Sequence, residues 1–256
     1  MTEIPSVDLG RGVSMPMIGF GTWQLQGQLA YEATRHALQI GYRHIDTATM
    51  YRNEQQVGRA LADSGVDRAD VFVTTKLPPG NAGRTRATIE ESLKALGTDY
   101  VDLWLVHWPP RGRILVPLWR DFLAARDDGL TRAVGVSNYG IRQIDELTEA
   151  TGEHPVVNQI PWSPSRYDAG LIAALNERAV ALEGYSPLKG TRLRDRTLAE
   201  IAARYGVTPA QVVLRWHIDT GVIVIPKSSH AERIEQNFDI FDFSLTPEEV
   251  ARINNL

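Results

Sequence analysis

The chain has 256 residues, of which 43% are hydrophobic and 23% are charged, and its formal net charge is −4. A chain of this length and composition can bury a large core without cross-links, as ordinary globular proteins do. The absence of cysteine excludes a disulfide framework, a thiolate zinc site and a cysteine nucleophile, and the even mixing of charges disfavours a nucleic-acid partner or a polybasic membrane patch.

The N-terminal residues MTEIPSVDLG lack the charged and then apolar layout of a signal peptide. Since no apolar run of the chain is long enough to span a bilayer, we expect a cytoplasmic protein without a membrane partner. The stretch VDLGRGVSMP, at 7–16, then predicts a short β-hairpin that turns at Gly10-Arg11-Gly12.

Eight short β-rich runs follow along the chain, several of them almost continuously apolar. Such runs are typical of strands that are covered on both faces, as in a parallel sheet. The runs lie at residues 17–22, 42–47, 71–76, 100–107, 131–138, 156–160, 179–185 and 222–227.

Helical patterns lie between these runs. In three segments apolar residues recur on one helical face, and a glycine that can end a helix follows each segment. The stripes are Leu29, Ala33, Ala37 and Ile40 before Gly41, then Val57, Ala60 and Leu61 before Gly65, and Leu118, Trp119, Phe122 and Leu123 before Gly129. Asn53 can cap the second of these helices. Thr208-Pro-Ala-Gln and Thr246-Pro-Glu-Glu predict two capping boxes with proline at the first helical position.

Eight strands that alternate with helices predict an α/β protein of the (β/α)8 TIM-barrel class, with the N-terminal hairpin closing the bottom of the barrel. We expect residues 1–256 to form a single domain. An open doubly wound sheet is the structural alternative. In a barrel of this kind the reacting groups lie where strands end and the following loops begin.

The ends of the predicted strands carry one reactive or hydrogen-bonding side chain after another. They are Thr22, Trp23, Asp46, Lys76, His107, Ser137, Asn138, Gln159, Tyr185, Lys227 and Ser228. The opposite ends show no comparable set, which is the main reason to expect an enzyme.

Most of these groups, taken alone, have a plain structural explanation. Asp46 could cap the next turn through Thr47. Tyr51, just beyond the strand, could be a packing residue, and His107 could be a satisfied core histidine. Lys76 is different, because it ends a strand that should be buried, and burying an unpaired ammonium costs several kcal/mol. Asp46 ends the preceding strand, about 4.8 Å away, and is the nearest candidate partner.

Together these residues form a set that can transfer a proton. An Asp46–Lys76 pair beside Tyr51 would favour the phenolate and lower the pKa of the hydroxyl. A tyrosine tuned in this way can protonate an oxyanion, and His107 can orient the same oxygen. The set therefore predicts carbonyl reduction and, because a protein has no hydride of its own, a nicotinamide cofactor.

The stretch IPKSSHAERIEQN, at 225–237, is the best candidate for binding that cofactor. Lys227 and Ser228 end a strand, and the helix that follows offers its N-terminal amides to a phosphate. Arg233 can grip a 2′-phosphate or stack on adenine, which favours NADP(H) over NAD(H); solvated helix charges are the alternative. GFGTWQ, at 19–24, lacks the third glycine and the βαβ context of a Rossmann site.

Nine stretches of the chain match the motifs of one known family. They are MIGFGTW, GYRHIDTATMYRNEQQVG, VFVTTKL, VDLWLVHWP, AVGVSN, NQI, GYSPL, TPAQVVLRWH and IPKSSHAERIEQNFDIFDFSLT. On these motifs the chain resembles the aldo-keto reductases over essentially its whole length. The compact length and the last two stretches look most like the bacterial branch that contains the 2,5-diketo-D-gluconate reductases.

The resemblance implies a (β/α)8 fold and NADPH-dependent reduction of aldehydes or ketones without a metal, with α-dicarbonyls and keto sugars among the candidate substrates. We expect a monomer. By the same resemblance Tyr51 is the general acid and Lys76 lowers its pKa. Asp46 is the partner of Lys76, and His107 orients the carbonyl.

The resemblance also implies how the cofactor and substrate are held. Ser137, Asn138 and Gln159 match positions that hold the nicotinamide carboxamide, and Tyr185 matches the aromatic residue on which the ring stacks. The other cofactor positions are Gly21, Thr22, Trp23, Asp46, Ser186 and Leu188, together with Lys227, Ser228, Arg233, Gln236 and Asn237 at the 2′-phosphate and adenine end. The substrate would be surrounded by Trp23, Tyr51, His107 and Trp108.

The sequence departs from the family pattern in ways that bear on the substrate. Pro161-Trp162-Ser163-Pro164 replaces the usual residues after NQI, two loops are short, and few residues follow the last predicted helix. We therefore expect an open site, with Trp23, Trp108 and Trp162 at its mouth, that accepts varied carbonyl compounds. Arg111 and Arg113 could attract anionic substrates, although solvated loop charges explain them more simply.

Two rival functions remain. A metal-dependent barrel hydrolase could use His44, Asp46, His107 and Lys76, but catalytic zinc usually needs three convergent ligands, and the chain has no His-x-His pair. A non-catalytic NADP(H)-binding regulatory module of the same fold would not need the intact proton-transfer set.

Overall fold

The computed structural model describes residues 4–110 and 116–256. Within them, eight parallel strands form a sheet in which each strand pairs with its neighbour in sequence. These strands are β3 (Phe20–Gly21), β4 (His44–Asp46), β5 (Phe72–Leu77), β6 (Val101–Val106), β7 (Thr131–Ser137), β8 (Val157–Pro161), β9 (Ala181–Tyr185) and β10 (Ile223–Ile225).

The first and last strands of this sheet meet. Ile18, just before β3, forms a parallel bridge with Val224 of β10. The amides of Gly19 and Gly21 donate to the carbonyls of Val224 and Pro226 at 2.9 and 3.0 Å. The sheet is therefore a closed barrel, which confirms the predicted fold and excludes the open-sheet alternative.

The predicted N-terminal hairpin is present. Strands β1 (Ser6–Asp8) and β2 (Ser14–Pro16) pair antiparallel, and Arg11 at the turn has a left-handed φ of 54°. Met15 is fully buried in an apolar cluster with residues that lie near the starts of the barrel strands. These residues are Phe72, Leu103, Ala133, Val157 and Ile223. The hairpin therefore closes the end of the barrel opposite the ends that carry the polar side chains.

Helices surround the barrel and cover its outer face. In the described residues they are α1 (Gly27–Ile40), α2 (Glu54–Ala62), α3 (Thr85–Leu96), α4 (Val116–Asp127), α5 (Ile141–Thr151), α6 (Ala169–Asn176), α7 (Arg196–Tyr205), α8 (Pro209–Asp219), α9 (Ala231–Phe238) and α10 (Pro247–Ile253). Both predicted capping boxes form, with the hydroxyls of Thr208 and Thr246 accepting from the amides of Gln211 and Glu249. None of the helices in the described ranges is long and apolar enough to cross a membrane.

Two expectations about the helices are corrected. The buried face of α1 carries Ala30, Ala33 and Ala37, whereas Leu29 is exposed. Asn53 occupies the N-cap position of α2, but its side chain makes no capping hydrogen bond.

Asn53 instead ties together the loops after β3 and β4. Its amide nitrogen donates to the carbonyls of Thr22 and Leu25, each at 2.9 Å, and its amide oxygen accepts from the Thr47 hydroxyl at 2.8 Å. Buried amide groups need such partners, because an unsatisfied one costs about 1–3 kcal/mol. Asn53 therefore holds the loop that follows Asp46 in place, and this loop carries Tyr51.

Candidate active site

The predicted contact between Asp46 and Lys76 lies at the carboxyl ends of β4 and β5. Lys76 is fully buried, and its Nζ lies 2.6 Å from both carboxylate oxygens of Asp46 and 2.9 Å from the carbonyl of Thr47. Burial alone would lower the pKa of Lys76, but the charge and hydrogen bonds of Asp46 outweigh it, so the pKa is raised. The ammonium therefore stays charged in the interior of the barrel.

Tyr51 ends a short 3-10 turn, Thr49–Tyr51, that folds back over this pair. The hydroxyl of Thr49 donates to the carbonyl of Lys76 at 3.0 Å, and Arg52 leaves the turn in a left-handed conformation with φ of 57°. The Tyr51 hydroxyl lies 3.5 Å from Lys76 Nζ, and the ammonium is 5.1 Å from the centre of the phenol ring. The carboxylate, the ammonium and the phenol thus come together as the sequence predicted.

The predicted lowering of the pKa of Tyr51 is not what the structure shows. Burial raises this pKa, Lys76 lowers it and Asp46 raises it, and the sum is a raised pKa. The phenol is partly withdrawn from water, which opposes the phenolate more strongly than the ammonium favours it. In the free protein the hydroxyl therefore carries its proton at neutral pH, while the charge of Lys76 acts in the opposite direction and favours the phenolate.

His107 follows β6 and lies beside Tyr51, with the two rings edge to face and their centres 5.7 Å apart. Burial and the charge of Lys76 lower the pKa of His107 to about 3. The imidazole is therefore neutral at physiological pH, and a neutral imidazole can donate one hydrogen bond to an oxygen in the cavity.

Hydrogen bonds fix the polar side chains on the far side of the barrel. The Asn138 amide nitrogen donates to the carbonyl of His107 and to the hydroxyl of Ser137, at 3.1 and 2.9 Å. The hydroxyl of Tyr185 donates to the Asn138 amide oxygen at 2.9 Å, which orients the ring of Tyr185. Asn138 itself has a left-handed φ of 64°. These contacts place an amide, a hydroxyl and an aromatic face around one end of the cavity.

Gln159 links this side of the barrel to the Asp46–Lys76 pair. Its amide nitrogen donates to Asp46 Oδ2 at 2.8 Å and to Glu183 Oε2 at 2.9 Å. Glu183 lies in the middle of β9 and is fully buried, and its Oε1 is 3.6 Å from Nε2 of His44. Sequence reasoning missed Glu183, although a carboxylate inside the apolar run AVALEGY is a signal of an interior polar group.

These residues border a cavity of about 590 Å³ that opens at the carboxyl ends of the strands. Most of the predicted site residues line it. They are Gly21, Trp23, Asp46, Tyr51, His107, Trp108, Ser137, Asn138, Gln159, Tyr185, Ser186, Leu188 and Lys227. Lys76 lies behind the floor, where it holds Asp46, and Thr22 is buried with its hydroxyl bonded to the carbonyl of Asp46 at 2.9 Å.

The remaining cofactor candidates lie beyond the cavity, in and just before α9. Ser228 is buried, and its hydroxyl accepts from the amide of His230 at 3.1 Å. Arg233 and Gln236 are exposed, and Asn237 is buried. Ser228 therefore lies just before α9, and Arg233, Gln236 and Asn237 lie along it.

Three large apolar side chains stand exposed at the mouth of the cavity: Trp23, Met50 and Trp108. Met50 was not predicted, although it directly precedes Tyr51. The prediction for Trp162 is wrong, since this residue is 1% exposed and packs edge to face against Tyr167. Arg111 and Arg113 lie outside the described residues.

Potential metal ligands do not gather in the part of the chain that the structure describes. No group of three or more histidine, aspartate or glutamate side chains there could hold a metal ion. His44, a ligand in the hydrolase hypothesis, is fully buried, and burial and the charge of Lys76 lower its pKa to about 3. The centre of the site is instead the ammonium of Lys76.

A closed barrel with a buried carboxylate, an ammonium and a phenol where its strands end defines the class: a (β/α)8 barrel with a polar site at the carboxyl ends of its strands. Residues 17–256 match the aldo/keto reductase family. The chain belongs to this family, as the sequence motifs predicted.

Relatives of known name resemble the chain over nearly their whole length. An aldo-keto reductase of Mycolicibacterium smegmatis is 44% identical over 256 residues, which cover 98% of this chain and 93% of that protein. The methylglyoxal reductase DkgA of Escherichia coli K12 is 40% identical over 255 residues, which cover 98% and 92% of the two chains.

Two crystal structures show the same likeness. An aldo/keto reductase from Brucella melitensis has a TM-score of 0.96 at 42% identity, covering 99% of this chain and 98% of the other. An aldo-keto reductase of Bombyx mori, solved in complex with NADP, has a TM-score of 0.92 at 36% identity and covers 99% and 93%.

Proposed function

We propose that this chain is an NADPH-dependent reductase that converts aldehydes or ketones to alcohols, with Tyr51 as the general acid. One observation carries the proposal: the Tyr51 hydroxyl lies 3.5 Å from an ammonium that binds both oxygens of Asp46, on the floor of an open cavity. The reaction balances as carbonyl compound, NADPH and a proton giving an alcohol and NADP⁺.

The cavity has the chemistry that a nicotinamide end requires. Ser137, Asn138 and Gln159 offer hydroxyl and amide groups to a carboxamide, and the ring of Tyr185 offers an aromatic face. When bound, the dihydronicotinamide supplies a hydride to the carbonyl carbon. NADP is also the molecule named in the complex of the Bombyx mori relative.

Two cations, Lys227 at the cavity wall and Arg233 in α9, suit a phosphate. No ion pair between residues of the described ranges includes Lys227 or Arg233. Together with Ser228, Gln236 and Asn237 they would hold the 2′-phosphate and adenine end of the cofactor, which favours NADPH over NADH.

The proton and the charge are handled by the chain's own residues. Tyr51 donates its hydroxyl proton to the carbonyl oxygen, and Lys76 stabilises the phenolate left behind. Neutral His107 donates a hydrogen bond to the same oxygen and orients it. Asp46 keeps Lys76 charged and in place.

Trp23, Met50 and Trp108 at the mouth favour carbonyl compounds with an apolar portion, and the exposure of these side chains suits substrates of varied shape. The name of the Escherichia coli relative adds small α-dicarbonyls to the candidates. A panel of aldehydes, α-dicarbonyls and keto sugars, followed by the loss of NADPH absorbance, would define the substrate class.

The variant Tyr51→Phe tests the assigned acid. Because it removes one hydroxyl and keeps the ring, NADPH binding measured by fluorescence should persist while reduction is lost. Retained turnover would contradict Tyr51 as the acid. If the wild-type protein binds NADPH and yet reduces no member of the panel, that result would support the alternative of a non-catalytic regulatory module.

Arg233→Ala tests the proposed phosphate contact. The dissociation constant for NADPH should rise at least about tenfold, whereas that for NADH should change little, because only NADPH carries the 2′-phosphate. Equal losses for the two cofactors would refute the assignment of Arg233.

A further inference from the structure

Glu183 is a buried acid for which the proposed reaction has no direct use. It lies in β9 between Leu182 and Gly184, faces the interior of the barrel and is fully buried. Burying a carboxyl group without a partner costs several kcal/mol. Its one hydrogen bond among the described residues comes from the amide nitrogen of Gln159, at 2.9 Å.

We propose that Glu183 is a positioning residue, which together with Asp46 fixes the side-chain amide of Gln159 so that its oxygen faces the cofactor end of the cavity. The proposal rests on the proposed function, because it concerns how Gln159 meets the nicotinamide carboxamide.

The hydrogen-bond pattern around Gln159 leaves one orientation of its amide. The nitrogen has two hydrogens, and oxygens of Asp46 and Glu183 accept one each, at 2.8 and 2.9 Å. In the reversed orientation the amide oxygen would face the carboxylate oxygens of Asp46, which already accept hydrogen bonds from Lys76 Nζ, so one acceptor would meet another. Oε1 of Gln159 is therefore left as the free polar atom of a side chain that lines the cavity.

Because Gln159 Oε1 is a free acceptor at the cofactor end of the cavity, it favours a cofactor that carries a hydrogen-bond donor there. The carboxamide of nicotinamide carries an NH₂ group that can donate to Gln159 Oε1. An acetyl group on the same ring carbon has no such hydrogen, so the 3-acetylpyridine analogue of NADPH is a probe of this single contact. The wild-type protein should therefore bind NADPH more tightly than the analogue, and Glu183 should be needed for that preference.

Substitutions at Glu183 separate the hydrogen bond from the charge. Glu183→Gln keeps an acceptor oxygen at nearly the same place and removes the ability to ionise. Glu183→Met keeps the length of the side chain but removes the acceptor. One hydrogen of the Gln159 amide is then left without a hydrogen-bond partner in the barrel interior. That amide can then rotate to find another partner.

The experiment measures the dissociation constants of NADPH and of its reduced 3-acetylpyridine analogue for each purified variant. We expect Glu183→Met to lower the preference for NADPH by about tenfold or more, and Glu183→Gln to keep it within about threefold. In a Gln159→Leu background, Glu183→Met should cause no further loss, because the two residues act through one contact.

Glu54→Met is the matched control, since Glu54 is also a buried acid and accepts from the hydroxyl of Thr75 at 2.6 Å, away from Gln159. It should lower the melting temperature and leave the preference between the two cofactors unchanged. An unchanged preference in Glu183→Met, or an equal loss in Glu54→Met, would overturn the proposal.

A measurement on the unmodified protein covers the case in which Glu183→Met does not fold. The two side-chain amide protons of Gln159 should give separate NMR signals that exchange slowly with water, because both are hydrogen-bonded in the interior. Rapid exchange of these protons would equally overturn the proposal. Binding constants and amide exchange do not require turnover, so a failure of the proposed reaction would be recognised separately by the absence of reduction in the wild-type protein.

Discussion

Two buried carboxylates, at opposite ends of the barrel, are both held by cations, yet their surroundings differ. Asp102, the second residue of β6, is 2% exposed and lies near the hairpin at the bottom. Arg68 Nη2 lies 2.8 Å from its Oδ2, and Arg132 Nη1 lies 3.2 Å from its Oδ1. Asp46 at the top is equally buried but meets a single ammonium, that of Lys76.

In the bottom cluster, formed by Asp102, Arg68 and Arg132, further hydrogen bonds hold Asp102 and Arg68. Oδ2 of Asp102 also accepts from the amide of Val73 at 2.9 Å. The other donors of Arg68 are used by the hydroxyl of Thr98 and by the carbonyls of Val71 and Tyr100. With two cations for one carboxylate, and with no hydrogen bond from Arg68 or Arg132 to a phenol hydroxyl among the described residues, this cluster can fix strands together.

In the top cluster, formed by Asp46, Glu183, Lys76 and Tyr51, the carboxyl groups outnumber the cations. Asp46 binds Lys76 and is linked through the Gln159 amide to a second buried carboxyl group, that of Glu183, while the Tyr51 hydroxyl lies 3.5 Å from the ammonium. Burial and the charge of Asp46 raise the pKa of Glu183 to about 8. Under the proposed function, the comparison teaches that the ratio of cations to acids, and a phenol hydroxyl within hydrogen-bonding distance of the cation, distinguish a reactive pair from a structural one.

The strongest test of this comparison is to remove the cation at the top, Lys76. We expect Lys76→Met to lower kcat for carbonyl reduction by about 10²–10⁴-fold, because the phenolate of Tyr51 loses its stabilising charge. The variant should also be less stable by about 3–5 kcal/mol, since Asp46 is left buried and unpaired. Steady-state kinetics and urea unfolding measure the two effects, and wild-type turnover in Lys76→Met would contradict the role assigned to the ammonium.

The corresponding change at the bottom should act on stability alone. Asp102→Asn removes the charge that Arg68 and Arg132 share, and we expect a loss of about 3 kcal/mol in the free energy of unfolding. The kcat of the folded fraction should stay within about twofold of the wild-type value, as expected for a site without a proton-transfer role. A large fall in kcat at temperatures where Asp102→Asn is folded would show that the two ends are coupled.

The sequence predicted much of the top cluster because the rule involved is local. A lysine at the end of an apolar strand needs an acid, and the neighbouring strand ends in Asp46. Tyr51 and His107 follow from motifs of fixed spacing, and the barrel follows from eight alternations of strand and helix.

The other features of the site depend on contacts between distant parts of the chain, which the spacing of residues in the sequence does not predict. Glu183 meets Gln159 and lies near His44 only because the barrel closes and points residues of β4, β8 and β9 toward one axis. Trp162 turns away from the mouth because the chain stays paired with β9, its amide donating to the carbonyl of Tyr185 at 3.2 Å. The raised pKa of Tyr51 likewise reflects how deeply the folded loop buries it, which no motif specifies.

Buried Glu183 predicts a pH-dependent stability at the top of the barrel. An unfolded glutamate loses its proton near pH 4.3, whereas folded Glu183, with its pKa raised to about 8, keeps the proton until higher pH. Between these values the native state binds more protons than the unfolded state, so this group makes the protein less stable as pH rises, and the full cost is present above about pH 8.

Glu183→Gln removes that cost. Its unfolding free energy relative to the wild type should therefore rise between pH 5 and pH 9, by on the order of a few kcal/mol, as measured by urea unfolding at each pH. A constant difference between Glu183→Gln and the wild type would show that Glu183 is ionised throughout.

The smallest effect separates the two cations at the bottom. The side chain of Arg132 is 43% exposed and reaches Asp102 at 3.2 Å and the carbonyl of Gly12 at 3.3 Å, whereas that of Arg68 is 23% exposed and makes four hydrogen bonds. An exposed ion pair contributes little, because water already solvates both charges. We expect Arg132→Ala to cost about 0.5–1 kcal/mol in urea unfolding and Arg68→Ala about 2–3 kcal/mol, since it also removes hydrogen bonds to Thr98 and Tyr100. Equal losses would mean that the carboxylate needs both cations alike, and the bottom cluster would then owe its stability to its charge balance rather than to the hydrogen bonds of Arg68.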